Sequence, residues 1–147
     1  MMKMRLLIIT LLLFFTACHP KIQNDVETLD KVFAMQNFDL QIINGGCFGT
    51  DEYLFKVSKT EKGYMLTSQK SEKSHLISEE KMKAFKAYLK PRLGTNAYGG
   101  CTSHFYIRVG TIFNSVEYTH SFCSGPEAFM CDSLLNYKAL SVKENAL

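Results

Sequence analysis

The residues of this chain best suited to chemistry are its cysteines and histidines. Two of the histidines lie three residues from a cysteine, in Cys101-Thr-Ser-His104 and His120-Ser-Phe-Cys123. Two thiolates and two imidazoles complete a tetrahedral zinc site, which makes this mirrored pair the sharpest metal hypothesis. Residues three apart on a strand point to opposite faces, however, and oxidised cysteines do not bind zinc. We therefore predict no metal and no cofactor here.

Cys47 lies in the glycine-rich segment 45–49 and is the candidate for a catalytic thiol. A nucleophilic thiol needs a lowered pKa, which a base, a cation or a helix N-terminus supplies. Asp51 and Glu52 follow Cys47 instead, and nearby carboxylates raise the pKa of a thiol. No serine nucleophile elbow, phosphate-binding glycine loop or zinc-protease helix is present. The sequence favours a protein without catalytic residues, and a thiol- or zinc-dependent enzyme is the weaker alternative.

The start of the chain carries the strongest signal. Lys3 and Arg5 precede the segment 6–17, which is apolar apart from two threonines. Its length fits the apolar region of a signal peptide, about 7–15 residues, and is too short for a membrane-spanning helix of roughly 20. Phe15-Thr16-Ala17-Cys18 resembles the lipobox of bacterial lipoproteins. This resemblance implies that residues 1–17 are removed and that Cys18 becomes a lipidated N-terminus, with palmitate among its acyl groups.

Export by this signal peptide places the four remaining cysteines where disulfides persist. Cys47, Cys101, Cys123 and Cys131 allow three pairings. A helix that starts near residue 125 would separate Cys123 from Cys131 by about 10 Å, beyond the disulfide limit of roughly 7 Å. Two pairings remain open. We favour Cys101–Cys123 with Cys47–Cys131 over Cys47–Cys123 with Cys101–Cys131, because the segments around 101 and 123 are predicted to be neighbouring strands.

The charge and the length of the mature chain limit its possible partners and the number of its domains. Removing Lys3 and Arg5 from 17 basic residues leaves 15, against 14 acidic residues. A nearly neutral chain without a basic run is not expected to bind nucleic acid. A length of 147 residues predicts one domain. We assign residues 18–36 to a lipidated tether with a short helix over 25–35, residues 37–140 to a disulfide-braced domain, and 141–147 to a tail.

Alternating apolar residues predict about five antiparallel strands. Their centres are Phe38–Ile42, Tyr53–Val57, Tyr64–Thr67, Phe105–Val109 and Val116–Phe122. A type II′ turn at Gly110-Thr111 would join the last two strands. The stretch 69–74 is polar and is predicted to be mobile.

Two helices are predicted, each after a pair of strands. Ser78 is a good N-cap for the first helix, and Pro91 stops it. The second follows a capping box made by Ser124 and Glu127 and runs to about residue 139. Its predicted apolar stripe consists of Met130, Leu134 and Tyr137.

Two similar motifs, Asn-Gly-Gly-Cys at 44–47 and Tyr-Gly-Gly-Cys at 98–101, are each followed by the same predicted order of strand, strand and helix. This recurrence indicates a duplicated β-β-α unit. The resulting prediction is an α+β fold, an antiparallel sheet of about five strands with two helices on one face.

The motif Gly46-Cys47-Phe48-Gly49-Thr50 also supports a family resemblance. Together with the strand pairs and helices that follow, it resembles a group of small uncharacterised bacterial lipoproteins built around a Gly-Cys-Phe-Gly-Thr motif. The likeness covers the segment from Phe38 to Tyr137. It implies an envelope location and supports the fold, and it brings no activity.

The predicted function is that of a lipid-anchored protein of the bacterial cell envelope, facing the periplasm or the outside, that binds another protein or a surface polymer. Phe48, Tyr53, Tyr98 and Tyr106 are the predicted contact surface, because interfaces are enriched in aromatic residues. An inhibitor of an envelope hydrolase is the alternative, since it fits the size, the location and the disulfides equally well.

Overall fold

A computed structural model describes residues 20–46, 49–95, 103–122 and 126–140. Over these residues the chain forms three α-helices and six strands. The helices are α1 (Pro20–Ala34), α2 (Glu79–Leu89) and α3 (Glu127–Leu135), and the strands are β1 (Asn37–Gly46), β2 (Gly49–Thr60), β3 (Gly63–Ser68), β4 (Ser74–Ile77), β5 (Ser103–Gly110) and β6 (Ser115–Phe122). Single turns of 3₁₀-helix follow α2 at Lys90–Arg92 and α3 at Lys138–Leu140.

The strands form one antiparallel sheet in the order β4-β3-β2-β1-β5-β6. The central strand β1 pairs with both β2 and β5, and Leu40 lies opposite Phe55 on one side and Val109 on the other. Because paired residues share a face, these apolar side chains form one surface. The predicted α+β fold is confirmed, with one more strand and one more packed helix than expected.

The hydrophobic core lies between one face of the sheet and all three helices. Leu29 of α1, Phe85 of α2 and Leu135 of α3 are fully buried in the same cluster as Phe55 and Phe105 of the sheet. Burial of a side chain of this size contributes about 1.5–3 kcal/mol to the free energy of unfolding. The opposite face of the sheet carries no helix from the described part of the chain, and it is called the open face below.

Helix α1 is longer than the helix expected over 25–35. It begins at Pro20, a residue whose fixed φ angle suits the first turn of a helix. Leu29 and Val32 are buried in the core. On the other side of the helix, Asp30 accepts from Lys86 and Lys90 of α2 at 2.9 and 3.5 Å. The tether predicted over 18–36 is therefore mostly helix in its described part.

Strand β4 lies where a mobile polar stretch was predicted to end. Its four residues pair with β3, with Ile77 opposite Tyr64. Ile77 is its one buried residue. Four mostly polar residues are too few to show an apolar alternation, so the sequence did not predict this strand. It is ordered by its pairing with β3 and by the contact of His75 with the end of α3. It also adds a third strand to the first of the two predicted β-β-α units.

The turn between β5 and β6 differs from the predicted type II′ turn at Gly110-Thr111. Gly110 pairs with Ser115, which leaves residues 111–114 as a four-residue loop. The amide of Thr111 donates to the carbonyl oxygen of Asn114 at 2.7 Å, and the amide of Asn114 donates to Oγ1 of Thr111 at 3.2 Å. The loop is therefore closed at its base by two hydrogen bonds.

Helix α3 ends earlier than expected and faces the core with other residues. Asn136 adopts a left-handed conformation with φ 49°, which terminates the helix. The buried residues of the helix are Glu127, Cys131 and Leu135, whereas Met130 of the predicted stripe is 40% exposed. Tyr137, also part of the predicted stripe, is buried but lies beyond the end of the helix, so it does not belong to a helical face. Ser124 of the predicted capping box lies outside the described residues.

Candidate functional site

The four aromatic residues predicted to form a contact surface do not lie together in the described structure. Tyr53 pairs with core residue Ile42, and its ring packs edge-on against Tyr137 at 4.9 Å between centroids. Tyr106 pairs with Ile43 and lies on the open face. Tyr53 and Tyr106 are thus on opposite faces of the sheet and do not share one surface. Phe48 and Tyr98 lie outside the described residues.

Among the cysteines, Cys131 is the one that lies within the described residues. It forms no disulfide with another described residue and is fully buried on α3. Burial, together with the nearby charge of Glu127, raises its pKa to about 12. A thiol this far from ionisation is a poor nucleophile and a poor metal ligand at neutral pH. Cys18, Cys47, Cys101 and Cys123 lie outside the described residues, and the disulfide pairing and the lipidation remain predictions.

The two histidines of the hypothetical zinc site also face opposite sides of the sheet. His104 pairs with Gly45 on the open face, where its imidazole occupies the space that a Cβ at Gly45 would take. His120 pairs with core residue Phe105 and stacks on Tyr118, with ring centroids 6.1 Å apart. The two imidazoles therefore do not converge. No group of three potential metal ligands is found in the described segments.

A buried polar network lies on the core side, between α2, β6 and α3. The hydroxyl of Tyr88 donates to Oε2 of Glu127 at 2.9 Å, and Nδ1 of His120 lies 3.3 Å from Oε1 of the same carboxylate. The guanidinium of Arg92 stacks over the ring of Tyr88 at 3.8 Å. Burial, followed by the effect of neighbouring groups, raises the pKa of Tyr88 well above its usual range.

This network was missed by the sequence analysis, which assigned Glu127 to a capping box. Glu127 is only 8% exposed, and its carboxylate lies against groups from two other elements. A carboxylate shielded in this way is not accessible to a substrate. The network is therefore best interpreted as a brace that fixes α3 against α2 and β6.

The open face carries three shallow depressions that adjoin one another. The central one, of about 200 Å³, is lined by Asp39, Gln41, Leu54, Gln69, Arg108, Gly110, Thr111 and Ile112. It shares Leu54 and Gln69 with a neighbour of about 480 Å³, and Asp39 and Thr111 with another of about 380 Å³. Together they follow β2 from Thr50 to Ser58, about 27 Å at the rise of a strand. We call this surface the track.

The walls of the track combine both signs of charge with amides and apolar groups. Nε2 of Gln41 donates to Oε1 of Glu52 at 2.6 Å, which orders the floor between β1 and β2. Arg108 lies 3.7 Å from Glu117 of β6. Burial raises the pKa of neighbouring Tyr106 to about 12, and its hydrogen bond to Glu117 adds to the effect. Tyr106 is therefore a neutral hydrogen-bonding group at physiological pH.

No protein-family model and no curated protein matches this chain. The resemblance to lipoproteins with a Gly-Cys-Phe-Gly-Thr motif therefore remains a prediction. Within the described residues, none of the helices has the length and hydrophobicity needed to cross a membrane.

Proposed function

We propose that this protein is a lipid-anchored module of the bacterial cell envelope, attached through Cys18 and facing the periplasm or the outside, and that it binds a partner without catalysing a reaction. The cation-led apolar leader that ends at Cys18 supports the anchor. The inaccessible Glu127 and the buried Cys131 support a non-catalytic role, because the described core gives neither group access to a substrate.

The observation that carries the binding function is the track on the open face. Antiparallel sheets often leave one face to water, but such a face is usually polar throughout. Here Leu54 and Ile112 remain 39% and 85% exposed, and both line the central depression between polar side chains. Apolar contacts surrounded by directional hydrogen-bonding groups are typical of a recognition surface.

The chemistry of the track fits an extended segment of a protein partner. Its length corresponds to about eight residues of extended chain. The side-chain amides of Gln41 and Gln69 offer donors and acceptors that match peptide groups. Asp39 and Arg108 bring opposite charges to the same depression. A surface polymer of uniform charge would meet repulsion from one of them, and this favours the polypeptide.

Site-specific photo-crosslinking in intact cells tests this function. A photoreactive amino acid at position 54 should give a discrete adduct with an envelope protein. The same amino acid at position 83, on the exposed side of α2, is the matched control and should give none. Gln69→Arg should abolish the adduct at position 54, because a larger cation would fill the track. Adducts of equal yield at both positions, or none at 54, would refute the assignment of the track.

Mass spectrometry of the mature protein tests the anchor separately. The expected N-terminus is Cys18 carrying acyl groups. A mature chain that retains Met1 would exclude lipid attachment at this cysteine. If the adduct at position 54 proves to be a hydrolase whose activity falls in the complex, the protein is the inhibitor considered as the alternative.

A further inference from the structure

The two edges of the sheet differ in length. β4, at one edge, has four residues, whereas β6, at the other edge, has eight. Natural proteins protect an exposed edge with short strands, lysine, proline or bulges. β6 contains neither lysine nor proline, and its pairing with β5 runs without a bulge from Ser115 to Phe122. Within the described residues, no strand lies on the outer side of β6, so this strand offers a long backbone edge to another chain.

The hydrogen bonds at the β5–β6 loop fix which backbone groups of β6 point outward. Because the amide of Thr111 donates to the carbonyl of Asn114, these two residues form a hydrogen-bonded pair. Such pairs alternate with non-hydrogen-bonded pairs along an antiparallel ladder. Every second residue of β6 therefore directs its amide and carbonyl away from β5 and its side chain to the open face. We call these residues the outer row: Ser115, Glu117, Thr119 and Ser121.

We propose that β6 is a self-association site, at which it pairs antiparallel with β6 of a second copy of this chain. Two identical antiparallel strands are related by a two-fold axis, the commonest symmetry of homo-oligomers. An axis at Tyr118 places Ser115 of each copy opposite Ser121 of the other, and Glu117 opposite Thr119. All residues of the outer row then form hydrogen-bonded pairs, which gives about eight hydrogen bonds between the two copies.

Charge and strand length select this register. Glu117 is the only carboxylate of β6. An axis at Glu117 would set two carboxylates directly opposite each other, which is destabilising. An axis at Thr119 would leave Ser115 opposite residue 123, beyond the end of the strand. With the axis at Tyr118, the carboxylate of Glu117 instead meets the hydroxyl of Thr119, which is able to donate a hydrogen bond to it.

The dimer is compatible with both the proposed anchor and the track. Its two-fold axis is perpendicular to the sheet, so both helix layers lie on one side and both open faces on the other. Two lipids attached ahead of α1 are then able to enter one bilayer, and both tracks stay accessible. A contact between two strands is smaller than the roughly 1,200 Å² of a stable interface. The dimer therefore rests on the proposed attachment at Cys18, which confines the copies to one surface and raises their local concentration.

Photo-crosslinking of the purified, acylated protein in vesicles tests the pairing. A photoreactive amino acid at position 121 should give a dimer-sized adduct whose cross-linked peptide contains Ser115. The matched control is position 76 on β4, the opposite edge, where Leu76 is 46% exposed on the same face of the sheet. This position should give no dimer. Mass spectrometry verifies the acylation of Cys18, so that a missing adduct is not caused by a missing lipid.

Substitutions at Thr119 distinguish strand pairing from other contacts. Thr119→Pro removes an amide hydrogen that points away from β5, leaves the ladder with β5 intact and should reduce the adduct at position 121 several-fold. Thr119→Glu places a carboxylate opposite Glu117 of the second copy and should also reduce the adduct, whereas Thr119→Lys should preserve it. Circular dichroism checks the fold of each variant, and the Glu and Lys variants decide the test if the Pro variant does not fold.

Three results would overturn the self-pairing and leave the anchor and the track unaffected. The first is an acylated protein that gives no dimer adduct at position 121. The second is an equal yield at positions 121 and 76, or from Thr119→Glu and Thr119→Lys. The third is an adduct at position 121 in intact cells that joins a different envelope protein in place of the second copy.

Discussion

The hydroxyl of Tyr88 donates a hydrogen bond to the carboxylate of Glu127 across 2.9 Å and thereby joins the last turn of α2 to the first turn of α3. Both residues are less than a tenth exposed. His120 of β6 lies on the other oxygen of the same carboxylate. Three elements thus meet at one buried carboxyl group, and Tyr88 lies 39 residues from Glu127 in the chain.

Tyr88→Phe is expected to lower the free energy of unfolding by about 1–3 kcal/mol, because it leaves a buried carboxylate oxygen without its donor. Chemical denaturation of the variant measures this loss. The comparison uses Glu127→Leu, which removes the acceptor, alone and in combination with Tyr88→Phe. Equal effects of Tyr88→Phe in the two backgrounds would show that the bond makes no contribution.

Cys131 is expected to resist alkylation in the folded protein at pH 8. Burial raises the pKa of its thiol to about 12, and the thiolate is the reactive species. After unfolding without a reductant, Cys131 should be alkylated rapidly, which peptide mass spectrometry detects. Labelling that requires prior reduction would instead place Cys131 in a disulfide, as the pairing predicted from sequence requires.

Alkaline pH should weaken folding partly through the same thiol. Its pKa in the folded state is about 12, above the reference value of 9.0. The stability linked to this group is therefore fully present below about pH 9 and is lost as the pH rises towards 12. Cys131→Ala should reduce the slope of unfolding free energy against pH in that window. An unchanged slope would contradict the shift.

Gly45→Ala is expected to destabilise the protein by about 1 kcal/mol, the lower end of the usual cost of overpacking, because the atoms it meets are the movable end of the His104 side chain. The added Cβ would enter the space of the His104 imidazole. The double variant with His104→Ala should regain most of this loss. Gly110→Ala is the contrasting case, since its φ of 147° and the backbone oxygen of Asn114 oppose any side chain. Thermal denaturation measures the stability of each variant. If His104→Ala does not rescue Gly45→Ala, the predicted steric cause is wrong.

His75→Ala should cost about 1 kcal/mol, the net value of one hydrogen bond. Nε2 of His75 lies 2.7 Å from the carbonyl oxygen of Leu135, and because a carbonyl only accepts, Nε2 carries the proton. The bond ties β4 to the C-terminal end of α3. Ser74→Ala, at the exposed neighbouring position, is the control. A loss no larger than that of the control in chemical denaturation would show that β4 does not depend on this contact.

Local chemistry explains what could be predicted from the sequence. Phe38, Leu40 and Ile42 predicted β1 because alternation is a property of consecutive residues. Ser78 predicted the start of α2, and its Oγ accepts from the amide of Lys81 as a cap should. Alternation along β6 also puts His120 on the same face as the buried Tyr118, a relation between residues only two positions apart.

Contacts between residues far apart in the chain leave no local pattern in the sequence, so they could not be predicted from it. β4 is ordered by its pairing with β3 and by its contact with the end of α3. The carboxyl group of Glu127, predicted to cap its own helix, instead accepts a hydrogen bond from Tyr88, which lies 39 residues away. The track combines side chains from β1, β2 and the β5–β6 loop, which only strand pairing brings together.

The sequence by itself thus determined five of the six strands, the positions of the helices, the α+β class and the leader that predicts a lipid anchor, because periodicity, capping and apolar length act over short stretches. Only the tertiary structure decided which face is open, on which face each tyrosine lies and where the track lies. These features depend on strand register and on the packing of the helices against one face of the sheet, and both are set by residues far apart in the chain.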